Sequence, residues 1–262
     1  MEKFDESVRS VERALRIIET LSQVDDIGIT DMSRELGLNK ATVYRLVTTL
    51  RIQGYVEQVK EDKYKLTFKI FELGSNMVNR LGIRKTAYPF LEELAAITKE
   101  TVNLGALEET HVCYIERIES REALRLGLDI GARFPSHCTA LGRVMLAYLE
   151  PGDVDNILQK AESEGQLQQY TAKTITDKKL IKAELYKIRK QGYAIETEQY
   201  LPGIRCIAAP IFNHTEKVIA AISVAGPSTR VNEELSKTIV TNLTRVAKEL
   251  SARLGYRPRF TG

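Results

Sequence analysis

The residues with the clearest chemical potential follow Asn39, a residue type that favours the start of a helix. Beyond it, apolar residues recur at the spacing of one helix face, namely Val43, Leu46, Val47 and Leu50. If that face is buried, the opposite face is free to enter the major groove of DNA, which is wide enough for an α-helix. The side chains predicted to reach base edges there are Ala41, Thr42, Tyr44, Arg45 and Thr48.

Basic residues cluster around this helix. The net charge of the whole chain is only +3, but the stretch from Asn39 to Lys69 has seven Lys or Arg against three Asp or Glu. Such residues contact phosphates and give position and salt dependence rather than sequence choice. Similar helix pairs also occur in domains that bind no DNA, where basic residues only solvate a surface. The predicted phosphate contacts are Lys40, Lys60, Lys63 and Lys65.

A second candidate site lies where Pro135, Ser136, His137 and Cys138 lead into a helix that begins near Thr139. The first turn of a helix presents unpaired N–H groups, which favour a carboxylate ligand. A thiol near such a turn and beside a histidine is also a conceivable nucleophile, so an enzyme stays an alternative. Against it, adjacent side chains point in different directions, and no Asn or Asp is placed to orient the histidine.

Other chemistry is not indicated. The three cysteines, Cys113, Cys138 and Cys206, form no CxxC pair, which argues against a disulfide framework or a zinc ribbon. Cys113 and Cys206 are expected to be buried in strands, and His111 and His214 to lie in turns. With scattered histidines and no GxGxxG or GxxxxGK[ST] motif, we expect no metal site and no cofactor.

The composition indicates a folded chain of one or two domains, since 262 residues are 43% hydrophobic and 28% charged. The acidic, polar start MEKFDESVRS lacks the pattern of a signal peptide. The uncharged run from Val218 to Thr229 is too short to span a membrane. The expected location is therefore the cytoplasm.

The N-terminal part predicts a winged helix-turn-helix. A first helix over residues 8–24 carries apolar residues on one face, and Thr30 is predicted to cap a short second helix that ends at Gly37. The helix after Asn39 is followed by strands over 55–59 and 64–66, joined by a charged turn. The predicted inward face of the first helix consists of Val11, Ala14, Leu15, Ile18 and Leu21.

Two linking helices are predicted next, over 68–81 and 86–98, with a domain boundary near residue 82. Further strands are predicted over 102–107, 111–118, 124–128, 193–197, 206–212 and 218–224. Helices are predicted over 139–149, 153–161, 177–191 and 232–254. Because neighbouring strands have short links, the sheet is expected to be mostly antiparallel and covered by helices.

These segments carry a family resemblance. The stretch ITDMSRELGLNKATVYRLVTTLRIQGYVEQ, followed by KYKLTFKIFELG, resembles the DNA-binding half of IclR-family transcriptional regulators. GARFPSHCTALGRVMLA, GIRCIAAPIF and AAISVAGP resemble their effector-binding half, so the likeness runs from about Ser7 to Gly255. The resemblance implies an α+β chain with a winged helix-turn-helix DNA-binding domain over 1–67, a linker helix over 68–82 and a GAF-like effector-binding domain over 83–262. It implies a regulator rather than an enzyme.

Within that family, TKETVNLGALEE, YIERIES, RCIAAPIF and LSARLGY are most similar to regulators of pectin and 2-keto-3-deoxygluconate catabolism. This implies a repressor of a carbohydrate or uronate operon, released from double-stranded operator DNA by a small 2-keto acid. The alternatives are a regulator of another organic-acid pathway, a cysteine-dependent enzyme and a pure oligomerisation module. The pocket residues that the resemblance implies are Ala140, Leu141, Glu196, Cys206 and Ser223, and the predicted helix start adds Thr139.

Two positions depart from the family pattern. Glu196 stands where Asp is frequent, and Ala225 replaces a second serine, so the size or hydroxyl pattern of the bound acid is expected to differ. We also predict a homodimer or a dimer of dimers. One winged helix reads only a half-site, and the apolar stripe of Ile70, Leu73 and Met77 needs a partner surface.

Overall fold

The N-terminal part of the chain folds as a winged helix-turn-helix. The computed structural model describes residues 7–59, 62–80, 82–122 and 129–257, with the backbone alone for residues 75–80. Three helices, α1 (Arg9–Leu21), α2 (Ile29–Leu36) and α3 (Lys40–Ile52), pack with a three-stranded antiparallel sheet. Its strands β1 (Ile27–Gly28), β2 (Val56–Gln58) and β3 (Lys63–Leu66) lie in the order β1–β3–β2, and α4 (Lys69–Arg80) follows.

Local sequence explains the turn between α2 and α3. Gly37 ends α2 in the left-handed region at φ +66°, a conformation that glycine adopts without strain. The Asn39 side chain then accepts a hydrogen bond from the N–H of Thr42 at 2.8 Å, which confirms the predicted cap of α3. The buried residues Ile17, Leu21, Met32, Val43 and Val47 fill the core between the helices.

Two expectations for this part are wrong. Gly28, not Thr30, is the N-cap of α2, because Ile27 and Gly28 pair with β3 and start the helix earlier. The buried face of α1 is centred on Ile17 and Leu21, while Val11 and Leu15 are 55% and 53% exposed. A two-residue strand such as β1 is too short to leave an alternating pattern in the sequence.

After Arg80 the chain forms a second unit built on a six-stranded sheet of strand order β6–β5–β4–β9–β8–β7. Every strand pair is antiparallel, which confirms the predicted α+β fold class and sheet type. The predicted strand over 124–128 lies outside the described residues, and β6 was not predicted. The strands are β4 (Thr101–Glu108), β5 (His111–Ile118), β6 (Arg133–Pro135), β7 (Ala194–Thr197), β8 (Ile204–Phe212) and β9 (Val218–Pro227).

Helices cover both faces of this sheet. On one face lie α5 (Ile83–Thr98) and α9 (Glu233–Arg253); on the other lie α6 (Ala140–Leu146), α7 (Pro151–Ser163) and α8 (Lys178–Gln191). The predicted second linking helix is therefore wrong as a linker, because α5 buries Leu91 and Leu94 in the domain core. In the described ranges, no helix combines the length and the apolar character needed to cross a membrane.

Side-chain size differs between the two faces. Ile207 and Ile222 point towards α5 and α9, whereas their neighbours Ala208 and Ala221 point towards α6. Small residues let α6 approach the sheet closely. Gly142 of α6 packs against the turn that leads into the helix, where an added Cβ would lie 2.3 Å from the backbone oxygen of Ser136.

We predict that Gly142→Ala destabilises the folded chain by about 3 kcal/mol or more, because a backbone segment must move to admit the methyl group. Gly152→Ala in α7 is the matched control, since nothing lies within 4 Å of its added Cβ. It should change stability by about 1 kcal/mol or less. Urea unfolding measures both, and equal effects would contradict the packing described here.

Candidate functional site

The outer face of α3 forms one candidate site. Lys40, Ala41, Tyr44 and Arg45 are exposed, and Thr42 and Thr48 at its border are half-buried. The opposite face is fixed in the core by buried Val43 and Val47. All the predicted base-reading residues therefore share one surface, and Tyr44 is 54% exposed on it. Neither Lys40 nor Arg45 has an ion pair within the described part of the chain.

Two lysines of the wing, unlike Lys40 and Arg45, form ion pairs with carboxylates among the described residues. The Nζ atom of Lys63 lies 2.8 Å from Oδ1 of Asp26, and that of Lys65 lies 3.1 Å from Oε1 of Glu57. Exposed ion pairs of this kind contribute little and can exchange for phosphates. Lys60, the third predicted wing residue, lies outside the described residues.

A cavity between the large sheet and α6 is the second candidate site. Its volume is about 30 Å³, close to that of one water molecule. All six residues that were predicted for the pocket line it, together with five more that were not predicted. The lining residues are Thr139, Ala140, Leu141, Glu196, Cys206 and Ser223, and then Tyr114, Phe134, Tyr200, Leu201 and Ile204.

Strand pairing brings the polar lining residues together. Glu196 on β7 is opposite Cys206 on β8, and Cys206 is opposite Ala225, two residues from Ser223 on β9. Because alternate residues share a face, Glu196, Cys206 and Ser223 all point towards α6. Thr139 caps α6 by accepting the N–H of Gly142 at 3.3 Å, which places the first turn of the helix at the cavity.

Glu196 is a buried carboxyl group, only 3% exposed. Burial raises its pKa, and the N–H groups of Gln199 and Tyr200, with the positive charge of Arg143, act in the opposite direction. Arg143 is itself buried in α6, where its Nε donates to the carbonyl of His137 at 2.7 Å and its Nη2 to the side chain of Gln199. It thereby links α6 to the segment after β7.

The cysteines differ from what a nucleophile requires. Burial raises the pKa of the Cys138 thiol to about 12, the reverse of the lowered pKa considered from the sequence. His137 does not activate it, since its Nε2 lies 3.1 Å from the carbonyl of Gln168. Burial also raises the pKa of the Cys206 thiol. Cys113 and Cys206 are both half-buried rather than buried, and His111 lies in β5 rather than in a turn.

Three aromatic residues that form one wall of the cavity were not predicted from the sequence. The ring centroids of Tyr114 and Phe134 lie 4.6 Å apart, and those of Phe134 and Tyr200 lie 5.6 Å apart. Tyr114 had a local signal, because it occupies an alternate position of a predicted strand. Phe134 and Tyr200 come from short or irregular segments, so only the tertiary structure brings them to the cavity.

A winged helix-turn-helix with an exposed basic recognition helix, on one chain with a domain that has a mostly apolar cavity with a few polar groups, is the architecture of a DNA-binding transcriptional regulator. Comparison with known families agrees. Residues 10–60 match the IclR helix-turn-helix domain, and residues 75–252 match the C-terminal domain of bacterial IclR transcriptional regulators. The chain belongs to the IclR family of transcriptional regulators.

Individual relatives cover nearly the whole chain. It is 37% identical to the HTH-type transcriptional regulator KdgR of Escherichia coli over 98% of this chain and 96% of that protein. It is 36% identical to the regulator XynR of the same species, over 95% of this chain and 98% of that protein. The crystal structure of Thermotoga maritima IclR superposes with a TM-score of 0.81 at 28% identity, over 95% of this chain and 99% of that one.

We predict that Glu196→Gln becomes more stable relative to the wild type as the pH rises from about 4 to about 7. A raised pKa means that the folded chain holds this proton to higher pH than the unfolded chain, so wild-type stability is lost as the pH rises through this range. Glutamine has no proton to lose, and its oxygen can still accept the backbone N–H groups.

Urea unfolding at several pH values measures the difference between the two proteins. Glu92→Gln, an exposed carboxylate on α5, is the control for the loss of one negative charge. A difference for Glu196→Gln that falls as the pH rises would contradict the direction given for its pKa.

Proposed function

We propose that this regulator represses a carbohydrate or uronate catabolic operon and leaves its operator when a small 2-keto acid, favoured as 2-keto-3-deoxygluconate, binds the cavity beside α6. The observation that carries the proposal is the convergence of Thr139, Ala140, Leu141, Glu196, Cys206 and Ser223 on one cavity. Similarity to KdgR supports the choice of effector.

The cavity has groups for each part of such a ligand. The amides of Ala140 and Leu141 precede the residues whose N–H groups bond within α6, and they are oriented to receive a carboxylate. The Ser223 hydroxyl and the Glu196 carboxyl group are candidates for the hydroxyls of a sugar acid. The cavity volume of about 30 Å³ is close to that of one water molecule, so the cavity walls must move apart for a sugar acid to enter.

Ligand binding changes DNA affinity only if the ligand prefers one of two states of the regulator. The cavity is placed to impose such a preference within its own domain, because it is lined by both α6 and the segment after β7. Arg143 joins these two elements through His137 and Gln199. An acid bound between them would change the spacing that Arg143 now holds.

We propose DNA contacts by the α3 surface and a homodimer or dimer of dimers as the DNA-binding form. Next to α4, Phe68 is 89% exposed, and within it Phe71 is 67% exposed, an apolar patch that solvent disfavours. Ile70 is half-buried and Leu73 is exposed, while the side chain of Met77 is not among the described parts of the chain. We keep the division into a DNA-binding domain over 1–67, a linker helix over 68–82 and an effector domain over 83–262.

We predict that Arg45→Ala keeps the fold but loses about 1–3 kcal/mol of preference for the operator over unrelated DNA, the value of a bidentate contact to a base. Fluorescence anisotropy with operator and scrambled duplexes, from low to high salt, measures this preference. Arg253→Ala, an exposed arginine of α9, is the control for the loss of one positive charge. Equal weakening on both duplexes would make Arg45 a phosphate contact.

We predict that 2-keto-3-deoxygluconate binds the full-length protein and weakens its affinity for the operator. Ser223→Ala should weaken acid binding about 5- to 10-fold, the value of one hydrogen bond, and exposed Ser163→Ala should not. Calorimetry with this acid, pyruvate and glyoxylate, followed by operator titrations, measures both effects. No heat and no change in DNA affinity with any of the three would reject the keto-acid effector and favour another organic acid.

A further inference from the structure

Asn103, in the middle of β4, is a buried amide that the proposed pocket has not used. Its exposed fraction is 0%, and neither its Oδ1 nor its Nδ2 has a hydrogen-bond partner among the described residues. A buried polar group without a partner is costly, and most such groups in proteins are bonded. An unpaired donor and acceptor at the same place therefore point to a ligand.

Strand pairing shows where this amide lies. Asn103 is directly opposite Ser223 on β9 and directly opposite Arg117 on β5. Residues paired in this way point to the same face of the sheet, about 5 Å apart. That face is the one towards α6, since the next residue of β4 on the same side, Gly105, lies under the Leu141 side chain.

The cavity extends to both sides of β4. Ser223 on β9 and Tyr114 on β5 both line it, and these two strands flank Asn103. The Asn103 amide thus lies directly beside the lining residue Ser223, behind the cavity wall. Beside it, buried Arg117 adds positive charge, which also acts on the Tyr114 hydroxyl.

Ala140 and Leu141, proposed to receive the carboxylate, lie on α6, whereas Asn103 lies on β4 beside Ser223. The carbon chain of an acid that extends past Ser223 when the cavity opens would meet the Asn103 amide. An amide offers one acceptor and two donor hydrogens, which matches the donor and acceptor pattern of hydroxyl groups. A keto acid of two or three carbons has no such hydroxyls to offer.

We propose that Asn103, with the Ser223 hydroxyl beside it, is the subsite that binds the hydroxyl-bearing chain of the effector, so that the pocket selects a polyhydroxylated sugar acid over a short keto acid. This inference rests on the proposed function of the cavity. It assigns to Asn103 a role in specificity rather than in folding.

The test compares two probes, 2-keto-3-deoxygluconate and pyruvate, by calorimetry on the full-length protein. Asn103→Ala should weaken binding of the sugar acid about tenfold or more, the value of one to two lost hydrogen bonds. Pyruvate affinity should change by less than about threefold, since its carboxylate keeps its partners. Leucine is close to asparagine in volume, so Asn103→Leu shows the effect of the lost hydrogen bonds without the empty space that alanine leaves. Exposed Asn156→Ala in α7 is the matched control.

Stability gives a second readout. Because the amide has no partner, Asn103→Leu without ligand should melt at the wild-type temperature or above it. A lower melting temperature, a failure of both variants to fold, or equal losses for both acids would overturn the subsite and leave the effector proposal standing. If the wild type binds neither acid, the proposed effector itself is rejected, and the subsite with it.

Discussion

The close packing of α6 against the large sheet is the constraint on which the second unit depends. Gly105 of β4 lies under the Leu141 side chain of α6, and Gly142 of α6 lies against the backbone of Ser136 in the turn that leads into the helix, so neither position has room for a larger side chain. Ala208 and Ala221 lie on the same face of the sheet, and their small side chains leave room for α6 to pack closely. Because interiors are packed as densely as organic crystals, this contact fixes the position of the first turn of α6 and thereby the mouth of the cavity.

That packing also determines the electrostatics of the cavity. Arg143, Glu196 and Arg117 are all buried, and charges interact more strongly where water is excluded. Arg143 is held by the carbonyl of His137 and the side chain of Gln199, which keeps a positive charge near the carboxyl group of Glu196. A negatively charged ligand in the cavity would therefore interact with the positive charge of Arg143 and with the carboxyl group of Glu196.

In the DNA-binding unit, by contrast, the charged side chains are exposed to solvent. The outer face of α3 is exposed, and its Lys40 and Arg45 have no carboxylate partner among the described residues. Lys63 and Lys65 of the wing form ion pairs at the surface. Surface pairs are weak and screened by salt, so they are readily exchanged for phosphates. One chain thus separates an exposed, charged surface from a cavity lined by buried groups.

The sequence by itself determined the elements with strong periodicity and the chemistry of α3. The stripe of Val43 and Val47 predicts which residues face outward, because a helix with one buried face has only one other face to present. The strands predicted over 206–212 and 218–224 likewise contain Cys206 and Ser223, but the family resemblance placed the two in one pocket, and their shared face follows from the register of β8 and β9. Only the tertiary structure decided that Tyr114, Phe134 and Tyr200 form one wall, that α1 buries Ile17 instead of Val11, and that Asn103 lies beside Ser223. Those relations depend on strand order and on packing between distant segments, and no local pattern encodes them.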